Sequence, residues 1–176
     1  MTFETVWAVY YSGTGTTRRV LQTMAAAAGE ALGIPVRELD YTLPERRVKR
    51  NTFCEKDLIF WGSPTYAGRL PNVLLPFLRQ NFSGGGAAAA AVVLYGNRSY
   101  DDALKELCEV LAADGFLPAA AAALVGEHAF APLLAHGRPA AADLAAAEDF
   151  ARRTALALRE IKRPQPVKVP GREPIG

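Results

Sequence analysis

Cysteine is scarce: Cys54 and Cys108 are the only two in 176 residues, and no C-x-x-C spacing pairs them. That excludes a cysteine metal quartet and a dithiol redox pair, and it fits a reducing, cytoplasmic setting. Histidine also occurs only twice. No apolar run approaches the length of a membrane span, so membrane insertion is not expected. The first strand signal begins near Thr5, which leaves no room for a secretory leader. Neither charge sign dominates: 20 Lys and Arg stand against 18 Asp and Glu, a formal +2. Without a basic stripe, nucleic acid is not an expected partner. What is plentiful is apolar surface, 50% of the residues, enough for one sizeable core. Residues 1–163 read as one domain. The Pro-rich segment 164–176, PQPVKVPGREPIG, reads as an extended tail or linker.

Strand and helix signals alternate along that domain. Thr5–Tyr11 and Leu58–Trp61 read as strands buried on both faces, and Val36–Leu39 as a shorter one. Thr16–Leu32 reads as a helix ended by Gly33 and Pro35. Residues 42–56 are polar and basic, an expected irregular connection. Asn72–Gln80 is a short helix, and residues 83–86 (SGGG) a flexible turn. Asp101–Asp114 is a helix that Asp101 can cap, with Leu104, Leu107 and Leu111 on its inner face beside Cys108. Ala141–Arg163 is a long final helix with acids early and bases late, which suits its dipole. The alanine runs in Ala87–Leu94 and Leu117–Val125 favour helix by propensity. Both still read as strands, because each ends in a large apolar pair and lies between two helices. The order implies a parallel sheet with helices on both faces. Ligands in such sheets bind beyond the carboxyl ends of the strands.

Three loops should meet at that edge. The first, SGTGTT, spans Ser12, Gly13, Thr14, Gly15, Thr16 and Thr17 directly after the first strand. A helix starting at Thr16 leaves its first N–H groups without internal partners, and the positive end of its dipole favours an anion. The glycines allow close approach and positive φ, and the hydroxyls add donors. The segment fits neither GxxxxGK[ST] nor GxGxxG and holds no lysine, so a lone monophosphate suits it better than a triphosphate. A Ser/Thr/Gly turn that merely caps a helix is the plainer alternative. The second loop, GSPTYAGRLP, carries Ser63, Pro64, Thr65, Tyr66, Ala67 and Gly68. It reads as a stiff backbone surface for a planar ring, or as an ordinary Pro/Gly turn. The third loop, YGNRSY, carries Tyr95, Gly96, Asn97, Arg98 and Tyr100. Asn97 can donate to and accept from a ring edge; a surface turn before the next helix is the alternative.

With these residues in view, the chain resembles the flavodoxin family over residues 3–163, and most the flavodoxin-like domains sometimes joined to a bacterial-type ferredoxin module. SGTGTT is similar to the family's phosphate loop T/S-x-T-G-x-T at Ser12, Thr14, Gly15 and Thr17. GSPTYAG resembles the second flavin loop and YGNRSY the third. The resemblance implies a doubly wound five-stranded parallel sheet and non-covalent FMN. It implies Tyr100 stacked on the ring, Tyr66 covering the other face, and redox partner proteins such as a reductase or an iron–sulfur protein. The chain departs from the family in being slightly basic, and in carrying Asn97 and Arg98 where many short-chain members have an acid. Cations relieve an anionic reduced flavin, so a less strongly reducing FMN is expected.

His128 and His136 follow the last strand, and neither shows a carboxylate partner or nucleophile in the sequence, so loop or capping roles are expected. The expected function is an FMN electron carrier, with positioning and electrostatic tuning as the protein's task. The alternatives are an FMN-dependent NAD(P)H:quinone or small-molecule reductase, and a docking module of the same shape without flavin.

Overall fold

The buried runs do become strands. β1 (Thr5–Tyr10) leads into α1 (Thr16–Leu32) and β2 (Val36–Asp40); a single 3-10 turn (Pro44–Arg47) and the two-residue β3 (Asn51–Thr52) connect to β4 (Asp57–Pro64). A 3-10 turn (Asn72–Leu74), α2 (Leu75–Asn81) and β5 (Phe82–Ser83) precede β6 (Ala88–Tyr95), α3 (Ala103–Ala113), β7 (Leu117–Val125) and α4 (Ala141–Glu160). The computed structural model describes residues 1–96, 98–127 and 136–172.

Five strands form one sheet in the order β2-β1-β4-β6-β7, and every pairing in it is parallel. The chain winds outward from β1 to β2 and then crosses back to β4, so the winding direction reverses beside β1. That reversal opens a crevice at the carboxyl ends of β1 and β4. Alternate residues of each strand face opposite layers. Val6, Ala8, Tyr10, Ala88, Ala90 and Val92 pack with α1 and α4. Val9, Ala89, Ala91 and Val93 pack with α3 and the aromatic group Tyr41, Trp61 and Phe82.

The alanine runs are strands. Ala88–Ala91 are fully buried in β6, next to the centre of the sheet. Helix propensity loses here to tertiary context: small side chains let the covering helices approach, and the sheet supplies both ladders. Its neighbour β7 is the edge strand and stays half-exposed along most of its length.

Four local expectations shift. β4 runs on through Gly62, Ser63 and Pro64, which register against Val92, Val93 and Leu94, so the second loop begins at Thr65; Pro64 is tolerated at the strand end, where its missing N–H breaks no interior ladder. The connection 42–56 is not wholly irregular, because β3 pairs with β5 in a small second sheet. The glycines at 84–86 serve close packing: a Cβ on Gly84 would stand 2.6 Å from the Phe116 ring, and the Gly84 amide donates to the Asp114 carbonyl at 2.7 Å. α3 starts at Ala103, with Asp102 at its N-cap and Asp101 at φ +40°, so Asp101 does not cap it. The tail segment 164–172 has no regular structure. It lies along β7, where the Val167 amide donates to the Pro118 carbonyl at 2.8 Å.

Candidate functional site

The loops after β1, β4 and β6 meet at the carboxyl edge of the sheet around one cavity of about 520 Å³. That volume lies in the range of about 300–1,000 Å³ usual for small-molecule sites.

The first loop is a preformed turn. Gly15, at φ +88°, is the N-cap of α1, and no side chain caps the helix from that position. The Ser12 amide donates to Thr42 Oγ1 and the Arg18 amide to Ser12 Oγ, both at 3.0 Å. The amides of Thr16 and Thr17 have no acceptor among the described residues, and the first turn of α1 carries no acid to offset its dipole. Open donors at a helix N-terminus without an acid favour negative charge there. Gly13, Thr14, Thr16 and Thr17 line the cavity. Ser12 does not; its hydroxyl accepts from the Arg18 amide at the helix start. Gly15 shapes the turn from outside the lining.

The second loop is held rigidly. Tyr66 and Arg69 exchange backbone hydrogen bonds at 2.9 and 3.1 Å, and the two residues between them have φ +50° (Ala67) and +76° (Gly68). Positive φ at both central positions makes this a type I′ turn. Left-handed Ala67 carries local strain of the kind that clusters at binding sites. Glu106 on α3 anchors the turn. Its buried carboxylate accepts from the Leu70 amide at 2.8 Å and from Arg69 Nη2 at 2.6 Å. Pro64, Thr65, Tyr66, Ala67 and Gly68 all line the cavity. Thr65 Oγ1 is buried with no hydrogen-bond partner among the described residues, an orphaned polar group in a residue that lines the cavity. The Tyr66 hydroxyl reaches across to the first loop: a Cβ on Gly13 would lie 3.4 Å from it. Burial first, then the neighbouring Tyr11 hydroxyl, push the Tyr66 phenol above its ordinary value. Ser63 lies outside the lining, buried in β4 with its hydroxyl donating to the Pro64 carbonyl at 3.0 Å.

Of the third loop, Tyr95, Gly96 and Arg98 line the cavity. Asn97 lies outside the described residues. Tyr100 is not in the lining. Its ring sits 5.4 Å from that of Tyr95, tilted by 59°, and packs against the core layer under α3. Tyr95 is therefore the third-loop aromatic at the cavity wall.

Leu94, Ser99, Asp101, Gly126 and Glu127 also line the cavity, and the sequence reading did not single them out as site residues. Gly126 and Glu127 follow β7, so the same carboxyl-edge rule pointed to them. A Cβ on Gly126 would stand 2.9 Å from Thr16 Cγ2, so glycine there admits the helix start. Asp101 Oδ1 accepts from the Ser99 hydroxyl at 2.5 Å. The cavity thus carries two carboxylates, Asp101 and Glu127, beside Arg98. His136, expected to lack a carboxylate partner, has one: its Nδ1 lies 3.2 Å from Glu127 Oε1. His128 lies outside the described residues. Among the described residues no cluster of His, Cys, Asp and Glu could hold a metal ion, and no helix is long and apolar enough to cross a membrane.

No protein-family model matches the chain, and no curated protein matches it in sequence. Solved structures do match in shape. A flavodoxin from the domain Archaea superposes with a TM-score of 0.56 at 14% identity, over 89% of this chain and 99% of that one. A flavodoxin from Streptococcus pneumonia TIGR4 gives 0.56 at 20% identity, over 88% and 99%. An NADH:FMN oxidoreductase in its apo form gives 0.58 at 18% identity, over 86% and 90%. With the strand order, the helices on both faces and these neighbours, the chain has the flavodoxin-like α/β fold.

Proposed function

We propose that this chain binds FMN without a covalent bond and works as an electron carrier between redox partner proteins, a reductase or an iron–sulfur protein. One observation carries the reading: a single cavity is lined by the helix start with its open amides and by Tyr66 and Tyr95. The residues present fit such a group. The open amides of Thr16 and Thr17, with the Thr14 hydroxyl, suit a phosphate monoester. The orphaned Thr65 hydroxyl suits a polar ring edge or ribityl oxygen, and the two tyrosines supply apolar faces with polar tips. FMN, when bound, supplies one- and two-electron redox chemistry. The chain's own residues would then do three things. The first loop holds the phosphate, and the Glu106-anchored second loop fixes the ring slot. Arg98, Asp101 and Glu127 set the electrostatic field around it.

Purified protein should be yellow, with absorbance near ~450 nm as for a flavin chromophore. Replacing Thr14 by Ala should weaken FMN more than riboflavin, because it removes the one side-chain hydroxyl assigned to the phosphate. Colourless protein that takes up neither flavin refutes the reading, and equal weakening refutes the phosphate assignment.

The same fold is found in an NADH:FMN oxidoreductase, and Glu127 at the cavity wall, with the exposed His136 beside it, offers a substrate polar groups that a pure carrier does not need. The second reading is therefore an FMN-dependent NAD(P)H:quinone or small-molecule reductase. NADPH alone should bleach bound flavin in a reductase and leave it yellow in a carrier without its partner.

A further inference from the structure

Asp102 holds the N-cap position of α3, yet its side chain does not cap the helix. An aspartate there ordinarily accepts an amide from the first turn. Instead its Oδ1 accepts from the amide of Arg172, 2.9 Å away and 70 residues further along the chain. The amide of Asp102 donates to the Gly68 carbonyl at 3.1 Å, and its carbonyl accepts from the Glu106 amide at 2.9 Å. The preceding residue, Asp101, presses on the same turn: a Cβ on Gly68 would stand 2.8 Å from Asp101 Cβ. Asp102 is thus bonded to the tail, to the second loop and to the helix that anchors that loop.

The tail is built to reach it. Val167 and Val169 pack against the core layer under α3, and the Val167 amide donates to Pro118. Gly171 crosses the Lys105 side chain so closely that a Cβ on it would lie 2.8 Å from Lys105 Cβ. Pro164, Pro166 and Pro170 hold fixed φ, so docking costs this segment little conformational entropy.

We propose that Asp102 is a positioning residue through which the docked tail holds the second and third loops in place around the cavity. Occupancy of the β7–α3 flank by residues 164–172 then sets how well ordered the ligand site is. The effect on cofactor affinity rests on the FMN reading; the effect on loop order does not.

The test compares the full chain, a chain ending at Arg163, Asp102→Ala and Asp102→Asn. Amide hydrogen exchange is followed without ligand at Tyr66, Arg69, Leu70 and Ala103. Shortening and Asp102→Ala should each speed exchange there by about tenfold, the effect of one charge-assisted hydrogen bond on an opening equilibrium. Together they should do no more than shortening alone, because without the tail the Asp102 carboxylate has already lost its Arg172 partner. Asp102→Asn keeps Oδ1 as an acceptor and should stay near wild type. A peptide of residues 164–176, added to the shortened chain, should restore protection, and should fail to do so when Asp102→Ala is also present. FMN affinity should fall in parallel. If the shortened chain does not fold, Asp102→Ala in the full chain reads the same contact. Faster exchange confined to β7 and α3, or additive effects of the two changes, would overturn the proposal. Loop exchange that responds in a protein unable to bind FMN would sink the FMN reading and leave this one standing.

Discussion

Replacing Glu106 by Ala should destabilise the protein by about 3 kcal/mol and loosen the second loop. The carboxylate is 4% exposed. It accepts from the Leu70 amide at 2.8 Å and from Arg69 Nε and Nη2 at 3.1 and 2.6 Å. The partners differ in what they lose. The Leu70 amide is buried and would be left without an acceptor, a cost of about 1–3 kcal/mol. The Arg69 side chain is 36% exposed, so it can turn to water, and the exposed part of the pair is worth about 0–1 kcal/mol. Emptying a buried site adds about 1 kcal/mol more for lost packing. At about 2–4 °C per kcal/mol for a domain of this size, the melting temperature should fall by roughly 6–12 °C. Glu106→Gln keeps one carbonyl oxygen for one donor and should cost about half as much. Urea unfolding and calorimetry measure both variants. An Ala variant within about 0.5 kcal/mol of wild type, the scatter of an unimportant surface site, would refute the anchor; so would a Gln variant less stable than the Ala variant.

Gly62→Ala should cost about 1–3 kcal/mol through overpacking, because its Cβ would lie 2.6 Å from Leu21 Cγ and 2.9 Å from Thr17 Cγ2; a denaturation midpoint equal to wild type would contradict this. Arg98 lines the cavity, and under the proposed FMN reading Arg98→Asp should lower the midpoint potential of the flavin by disfavouring the anionic reduced form, which potentiometric titration reads; an unchanged or raised potential counts against it. Asp114 Oδ2 is buried without a hydrogen-bond partner among the described residues, and burial, opposed by Arg79 and Arg50, pushes its carboxyl up to about 6. The folded state therefore holds that proton to higher pH than the unfolded chain, so the stability it contributes is present at low pH and lost as pH rises through about 6. Asp114→Asn should remove this dependence and gain most above that pH; parallel melting profiles for the two proteins across the window would contradict it.

Periodicity and punctuation carried the architecture. The span of α1 was legible because its apolar stripe is bounded by Gly15 and Gly33, both in left-handed conformation. The alanine strands were legible from their place between helices, although propensity pointed the other way. The first loop was legible because strand, glycine, hydroxyl and helix follow one another along the chain. The aromatic wall of the cavity was less so. Tyr95 and Tyr100 are near-equivalent aromatics in one loop, and only packing decides that Tyr95 walls the cavity while Tyr100 turns to the core. Asp101 read as a helix cap, because that rule ignores the contact with Gly68, which belongs to another loop.

Local rules act over a few residues, so the sequence by itself determined the element types, the parallel winding and the glycine-hydroxyl turn at Ser12–Thr17 that leads into α1. Pairings across long separations were decided only in three dimensions. Glu106 meets Leu70, 36 residues away, and Asp102 meets Arg172, 70 residues away. No periodicity encodes such meetings. They exist because the sheet brings distant loops to one edge, where each buried or half-buried polar group must find a partner that the chain alone does not name.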